Sequence, residues 1–199
     1  LLDGNDVSTF NIKHLRSNIA LVDKTNHFFP GSLRDNFQRI LPNANNDRIL
    51  WACETANATD QMQDLNVSLE TQMDDLQGIW NEDFKIKLSL ARALIRNPKV
   101  LILDDIFSDM DTDSILRFKA TFDKISKSRT MVLVSRDLYN LTVCKKLMFF
   151  NGTALAQYGQ TAAILEQDGP AKDLMKKQLR VISPKFEQDY KTSIKSLVS

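Results

Sequence analysis

Long apolar runs are missing from this 199-residue chain. No stretch approaches the ~20 consecutive apolar residues needed to cross a bilayer, and no signal peptide opens it. Any membrane role must therefore come from a partner or from sequence outside the chain. Net charge is nearly missing too: 26 Lys and Arg against 25 Asp and Glu leave +1. No global field selects a nucleic acid or an anionic membrane surface, and no nucleic-acid partner is expected. Cysteine is limited to Cys53 and Cys144, far apart and without metal-ligand spacing, which reads as two buried, reduced thiols of a cytosolic protein. The six glycines are all isolated, so no glycine-rich loop is present. Leu1-Leu2-Asp3-Gly4 has no Met and reads as a strand end and a turn; a fragment is expected. There is no internal repeat and no low-complexity tract.

What is present suits one domain with a real core and perhaps a subdomain. A short helix fits Ser8 to Ser17, a buried strand fits Ile19-Ala20-Leu21-Val22, and Phe28 to Leu33 reads as a loop with Ser32 a helix N-cap. Residues 47–95 look helical, with Ile49, Leu50 and Cys53 on one face. A polar stretch from Asn66 to Gln77 interrupts them, and a helix from about Asn81 to Ile95 carries the stripe Leu88, Ala91 and Ile95. Strand-helix-strand order then returns. Val100–Leu103 is a strand; Ile115, Phe118, Phe122 and Ile125 form a helical face; Met131–Val134 is a second buried strand; Leu147–Phe150 is a third, before the turn Asn151-Gly152. Strands separated by helices imply a largely parallel sheet and an α/β fold. Residues 160–199 are charged and helix-prone.

The most informative segment is Lys99-Val100-Leu101-Ile102-Leu103-Asp104-Asp105, followed by Ser108-Asp109-Met110-Asp111. A buried strand ending in paired acids puts charge at the carboxyl edge of a sheet, where open α/β folds bind ligands. Upstream lies the helix Leu88 to Asn97 with its stop at Pro98. Together with Phe28-Phe29-Pro30-Gly31-Ser32-Leu33-Arg34-Asp35-Asn36, which is similar to LFxG(S/T)(I/L)R(D/E)N, this order resembles the ATP-binding domain of exporter-type ABC transporters over about residues 1–178. Leu15–Val22 resembles the strand leading to the Q-loop and Leu90–Leu94 the helix after the signature. Leu101–Asp104 resembles Walker B, Ser108–Asp111 the D-loop, Arg129–Leu138 the H-loop strand, and Asn151-Gly152 with Gln157-Tyr158-Gly159 the final hairpin.

The resemblance implies a P-loop NTPase-like ABC ATPase core, α/β with a mainly parallel sheet plus a helical subdomain, truncated at its N-terminal side. The implied division is a partial core with the Q-loop region over 1–46, a helical subdomain with the signature position over 47–97, a core segment with Walker B, D-loop and H-loop over 98–178, and a C-terminal extension over 179–199. It implies ATP and Mg2+ as cofactors, a second ABC ATPase domain and a transmembrane domain as partners, and a place at the cytoplasmic face of a membrane. Phe29 and Gly31 sit near the family's coupling surface for the membrane domain.

At the chemical positions the chain departs from the family. GxxxxGK(S/T) would lie upstream of Leu1 and does not occur here. Lys24 stands at the Q-loop Gln: an ammonium is no metal ligand, yet it can touch a phosphate or simply be solvated. Asp104 matches the Walker B acid that holds magnesium through water. Asp105 replaces the catalytic Glu and is shorter by about 1.3 Å, a misplacement that can cost ~10²-fold in rate; its other reading is a turn carboxylate. Arg136 takes the H-loop His position, able to hold phosphate but a poor proton relay. Trp80-Asn81-Glu82-Asp83-Phe84 replaces LSGGQ, with Asn81 at the Ser position; the glycines are gone, and two carboxylates are expected to face where phosphate would sit. The other reading of Asn81-Glu82-Asp83 is an N-cap with acids on the helix dipole. Asp111 matches the D-loop acid.

Three functions follow. The first is a degenerate nucleotide-binding domain that couples ATP binding to export with weak or no hydrolysis. The second is a working ATPase using Asp105, and the third is a nucleotide-free docking module, with the charged tail Lys172 to Lys195 as its candidate surface.

Overall fold

The computed structural model describes residues 1–182 apart from Asn26, Gln77, Asp109 and Asp111, together with Thr192. It forms two compact units, Leu1–Val132 and Leu133–Ser199.

The first unit opens with the turn at Asp3-Gly4, closed by reciprocal backbone hydrogen bonds between Leu2 and Asn5. A single 3-10 turn, Val7–Thr9, precedes helix α1, Ile12–Asn18. The expected single helix over 8–17 is thus split, because Asp6 and Asn11 each cap their own start. Strand β1 is Ile19–Asp23. Ser32 starts α2, Leu33–Gln38, through a full capping box: its hydroxyl accepts the Asp35 N–H, and the Asp35 carboxylate accepts the Ser32 N–H. Those two bonds hold the Asp35 carboxyl below its ordinary range.

Gly31 makes this start possible. Its φ is +115°, and a Cβ there would stand 2.9 Å from the Asp35 Oδ2 that closes the box. Gly31→Ala is expected to lower stability by about 1–3 kcal/mol; urea unfolding measures it, and an unchanged midpoint would mean the box opens without cost.

Helices α3, Asn46–Thr55, and α4, Thr59–Asp64, lead to the segment 66–77. That segment is less polar in effect than its composition suggests. Val67, Leu69, Met73 and Leu76 are buried, and its backbone pairs with the first turn of α2 and the loop just before it: Leu33 N–H to the Thr71 carbonyl, Arg34 N–H to the Leu69 carbonyl, and Met73 N–H to the Gly31 carbonyl. A 3-10 turn, Met73–Leu76, ends it. Helix α5, Glu82–Leu94, is the central element, packed against both α3 and β1. Leu88, Ala91 and Ile95 are fully buried as the stripe requires, as are Ile49 and Cys53 on α3. Leu50 is not; it is 47% exposed, since the side of α3 on which it lies has no covering element within this unit. Burial pushes the Cys53 thiol up to about 12, so it stays protonated.

Strand β2, Val100–Asp104, pairs in parallel with β1, residue for residue from Ile19↔Val100 to Asp23↔Asp104. Helix α6, Thr112–Ser126, buries Phe118, Phe122 and Ile125, and Ile115 is half-buried. Strand β3, Thr130–Val134, follows in the sheet order β1-β2-β3. It is not the buried strand expected from its composition: Val132 is 43% and Val134 48% exposed.

The second unit, after a 3-10 segment Leu138–Val143, holds β4, Lys146–Asn151, and β5, Ala154–Gln160. These two form a separate antiparallel hairpin with a bulge at Phe149/Phe150, so the third expected strand does not extend the parallel sheet. Leu147 packs into a core with Ile164 and Leu165 of α7, Thr161–Glu166, and Met175 and Leu179 of α8, Pro170–Ile182. Among the described residues no helix is long and apolar enough to cross a membrane.

Candidate functional site

The parallel register of β1 and β2 builds the first part of the site. Both strands end in an acid at the same level, Asp23 opposite Asp104. Paired strands lie about 4.8 Å apart, so two carboxylates and the next residues, Lys24 and Asp105, share one carboxyl edge. Asp104 and Lys24 are exposed there and Asp105 is half-buried. Asp23 was not legible as a site residue, because its role comes from strand register rather than from a motif. Its Oδ1 accepts the Thr25 N–H at 3.0 Å, and also the Thr25 hydroxyl, which turns the chain after β1.

Asp105 sits in the left-handed region, φ +52°. Every non-glycine residue with positive φ among those described is Asn or Asp, the types whose short polar side chains tolerate it best. Its carbonyl accepts the Ser108 hydroxyl at 3.1 Å and the Ser108 N–H at 3.4 Å. The strand therefore ends in a tight turn, and this conformation gives a physical reason for Asp rather than Glu at the position.

The head of α5 is the second part, and here the expected geometry is corrected. Asn81 is the N-cap; its Oδ1 accepts the Phe84 N–H at 2.9 Å. Asp83 does not face outward. It is 6% exposed, with its Oδ2 at 2.9 Å from Lys87 Nζ and 2.9 Å from Gln61 Nε2, while Lys87 Nζ also donates to Gln61 Oε1. One turn of helix places residue 87 over residue 83, which directs the carboxylate back along α5 and onto α4. Glu82 pairs with Lys85 at 2.6 Å. Phe84 is wholly buried. The segment that replaces LSGGQ is thus cap, surface pair, buried pair and core, in that order.

Arg136 lies two residues beyond β3 in the second unit. It is exposed, and its carbonyl accepts from Gln178 Nε2 at 2.8 Å. Asp111, the D-loop acid, lies outside the described residues. The structure therefore brings Lys24, Asp104 and Asp105 together at one edge and puts Asn81 at the separate head of α5.

A magnesium ion held by one or two carboxylates and by substrate phosphates fits the edge at Asp104. Among the described residues there is no group of three or more metal-ligating side chains, so the protein alone would not cage a metal. The α5 head does not fit a phosphate cap of the family's kind. Asn81 already takes one of its backbone N–H groups, and no glycine stands in its first turn.

These features define a class: an α/β domain whose acids end neighbouring parallel strands and whose helical segment is inserted between those strands. The ABC transporter family model matches residues 1–108, and the chain belongs to that family. It is 29% identical over 177 residues to ABC transporter B family member 2 of Dictyostelium discoideum, and 31% identical over 172 residues to multidrug resistance protein 1 of Entamoeba histolytica. Those alignments take in 89% and 85% of this chain and 13% of each relative, so the chain spans a small part of their length. A bacterial Atm1-family ABC exporter solved with ATP bound has the same fold, with a TM-score of 0.78 at 20% identity over 89% of this chain and 31% of that one.

Proposed function

We propose that this chain acts as part of the nucleotide-binding domain of an exporter-type ABC transporter, at the cytoplasmic face of the membrane, coupling ATP binding to export with weak or no hydrolysis. In this reading residues 1–46 and 98–178 belong to the ATPase core, 47–97 form the helical subdomain and 179–199 extend it. A second ATPase domain and a transmembrane domain complete the machine.

The observation that carries the reading is the contrast between the two parts of the site. The acid edge of β1 and β2 keeps its carboxylates where ligands of such sheets bind, while the α5 head has its N-cap filled by Asn81 and its two acids paired with Lys85 and Lys87. Asp104 would hold Mg2+ through water; that ion would supply charge neutralisation to the phosphates of ATP. Lys24, a donor only, would touch a phosphate from the same edge. Asp105, shorter than the family's Glu, would reach the attacking water poorly and so contribute little to turnover. Arg136 would hold phosphate without relaying a proton.

The test is Mg-ATP binding and turnover by the full protein that carries this segment, beside Asp105→Asn and Asp105→Glu variants. Binding with slow turnover that Asp105→Asn leaves unchanged is the expected result. Turnover abolished by Asp105→Asn would make Asp105 a true base and this a working ATPase. No binding would leave a docking module. Because φ at this position is +52°, Asp105→Glu is expected to cost about 1 kcal/mol in stability rather than to restore fast hydrolysis.

A further inference from the structure

We infer that Gln178 of α8 is the positioning residue for Arg136, resting on the phosphate role proposed for Arg136 and deepening it. Arg136 follows β3 in the short irregular stretch 135–137, before the 3-10 segment begins at Leu138. An exposed arginine on such a stretch loses backbone and side-chain freedom when it meets an anion, and that loss weakens binding. Here the backbone beneath Arg136 is already held.

The hold runs unbroken from one peptide to the next. Gln178 Nε2 donates to the Arg136 carbonyl at 2.8 Å, and Gln178 Oε1 accepts the Leu138 N–H at 2.9 Å. Nε2 also lies 3.4 Å from Asp137 Oδ1. Between these bonds, the Asp137 N–H donates to the Ser135 hydroxyl at 3.1 Å, and the Asp137 carbonyl accepts the Asn140 N–H at 3.1 Å. Every backbone donor and acceptor from the Arg136 carbonyl to the Leu138 amide is therefore bonded. Asp137 stands at the N-cap of the 3-10 segment but makes no side-chain capping bond. Gln178, 40 residues further along the chain, supplies the missing acceptor.

A primary amide suits this task. It carries a donor and an acceptor side by side, whereas a carboxylate cannot donate and an ammonium cannot accept. Packing aims it: Met175 and Leu179, its neighbours on α8, are 0% and 2% exposed in a core shared with Leu138 and Leu141. Gln178 bonds the main chain, so it acts through the direction in which the Arg136 side chain leaves the backbone. A misplacement of about 1 Å in such a group can cost ~10²-fold in rate.

The test is the Mg-ATP affinity of the full protein that carries this segment, in Gln178→Met, Arg136→Gln and the two together. Gln178→Met keeps the length of the side chain and removes its bonds. The expected loss is about tenfold or more for Arg136→Gln, a charge-assisted contact. It is about threefold to tenfold for Gln178→Met, and the double variant should match Arg136→Gln within about twofold, because one residue acts through the other. In the protein without nucleotide, hydrogen exchange of the 136–138 amides should quicken in Gln178→Met while that of β4 and β5 stays unchanged. Three results would overturn the positioning role and leave the phosphate role of Arg136 standing: a loss in Arg136→Gln beside none in Gln178→Met, losses that simply add in the double variant, or exchange that quickens across β4 and β5 as well. Unchanged affinity in Arg136→Gln, or no Mg-ATP binding at all, would instead remove the phosphate role of Arg136, and its positioning by Gln178 with it.

Discussion

Lys87→Met is expected to lower the free energy of unfolding by about 3–5 kcal/mol, because it leaves one buried charge without its partner. The Lys87 and Asp83 side chains are 10% and 6% exposed, so solvent screens the pair very little. Asp83 would keep Gln61 as its one donor. Its Oδ1 already has no hydrogen-bond partner among the described residues, so there is no second bond to fall back on. The doubly altered Asp83→Asn/Lys87→Met removes both charges and lets Gln61 face an amide; it should recover more than half of the loss. Urea unfolding of the two variants measures this. A loss under about 1 kcal/mol in Lys87→Met would be a surface pair's value, and the claim that α5 begins on a buried ion pair would fall.

Phe84→Ala carries the second large effect, about 3–5 kcal/mol for an aromatic side chain deleted from a packed interior. Phe84 is fully buried at the start of α5, and its backbone N–H is the one that Asn81 caps. Leu50→Ala is the natural control: that side chain is 47% exposed, and its removal should shift stability by about 0.5 kcal/mol or less. Equal effects at the two positions would mean that Phe84 is not in the core. The same physics bears on function. Phe84→Gln would restore the family's residue, yet it places an amide where the fold needs a ring, so it should destabilise in the same direction. The head of α5 therefore does not return to LSGGQ one residue at a time: position 84 is committed to the core and position 83 to a buried pair.

Much of the fold was legible because it is local. The start of α2 is readable in Gly31-Ser32-Leu33-Arg34-Asp35, where cap and acid stand three apart, and the capping box forms as that spacing demands. The stripe Leu88, Ala91, Ile95 and the run Val100–Leu103 are periodic, and both are buried or half-buried as read. Asn81 as an N-cap was readable for the same reason. What misled were signals that depend on partners. Val132 and Val134 have the composition of a buried strand but are nearly half exposed. The segment 66–77 looked polar, yet its few apolar residues are the ones that turn inward.

By itself the sequence determined that this is an α/β domain with an acid-ended strand, an exporter-like loop before α2 and a helix start in place of the signature. These are patterns of period, cap and spacing within a few residues, where the backbone's own preferences decide. Only the tertiary structure decided that Asp23 stands level with Asp104, that Asp105 is held in a left-handed turn, and that Asp83 leaves the surface to meet Lys87 and Gln61. Register and burial join residues far apart in the chain. A carboxylate's role depends on whether water, a metal or a buried ammonium is its neighbour, and that neighbour is chosen by packing.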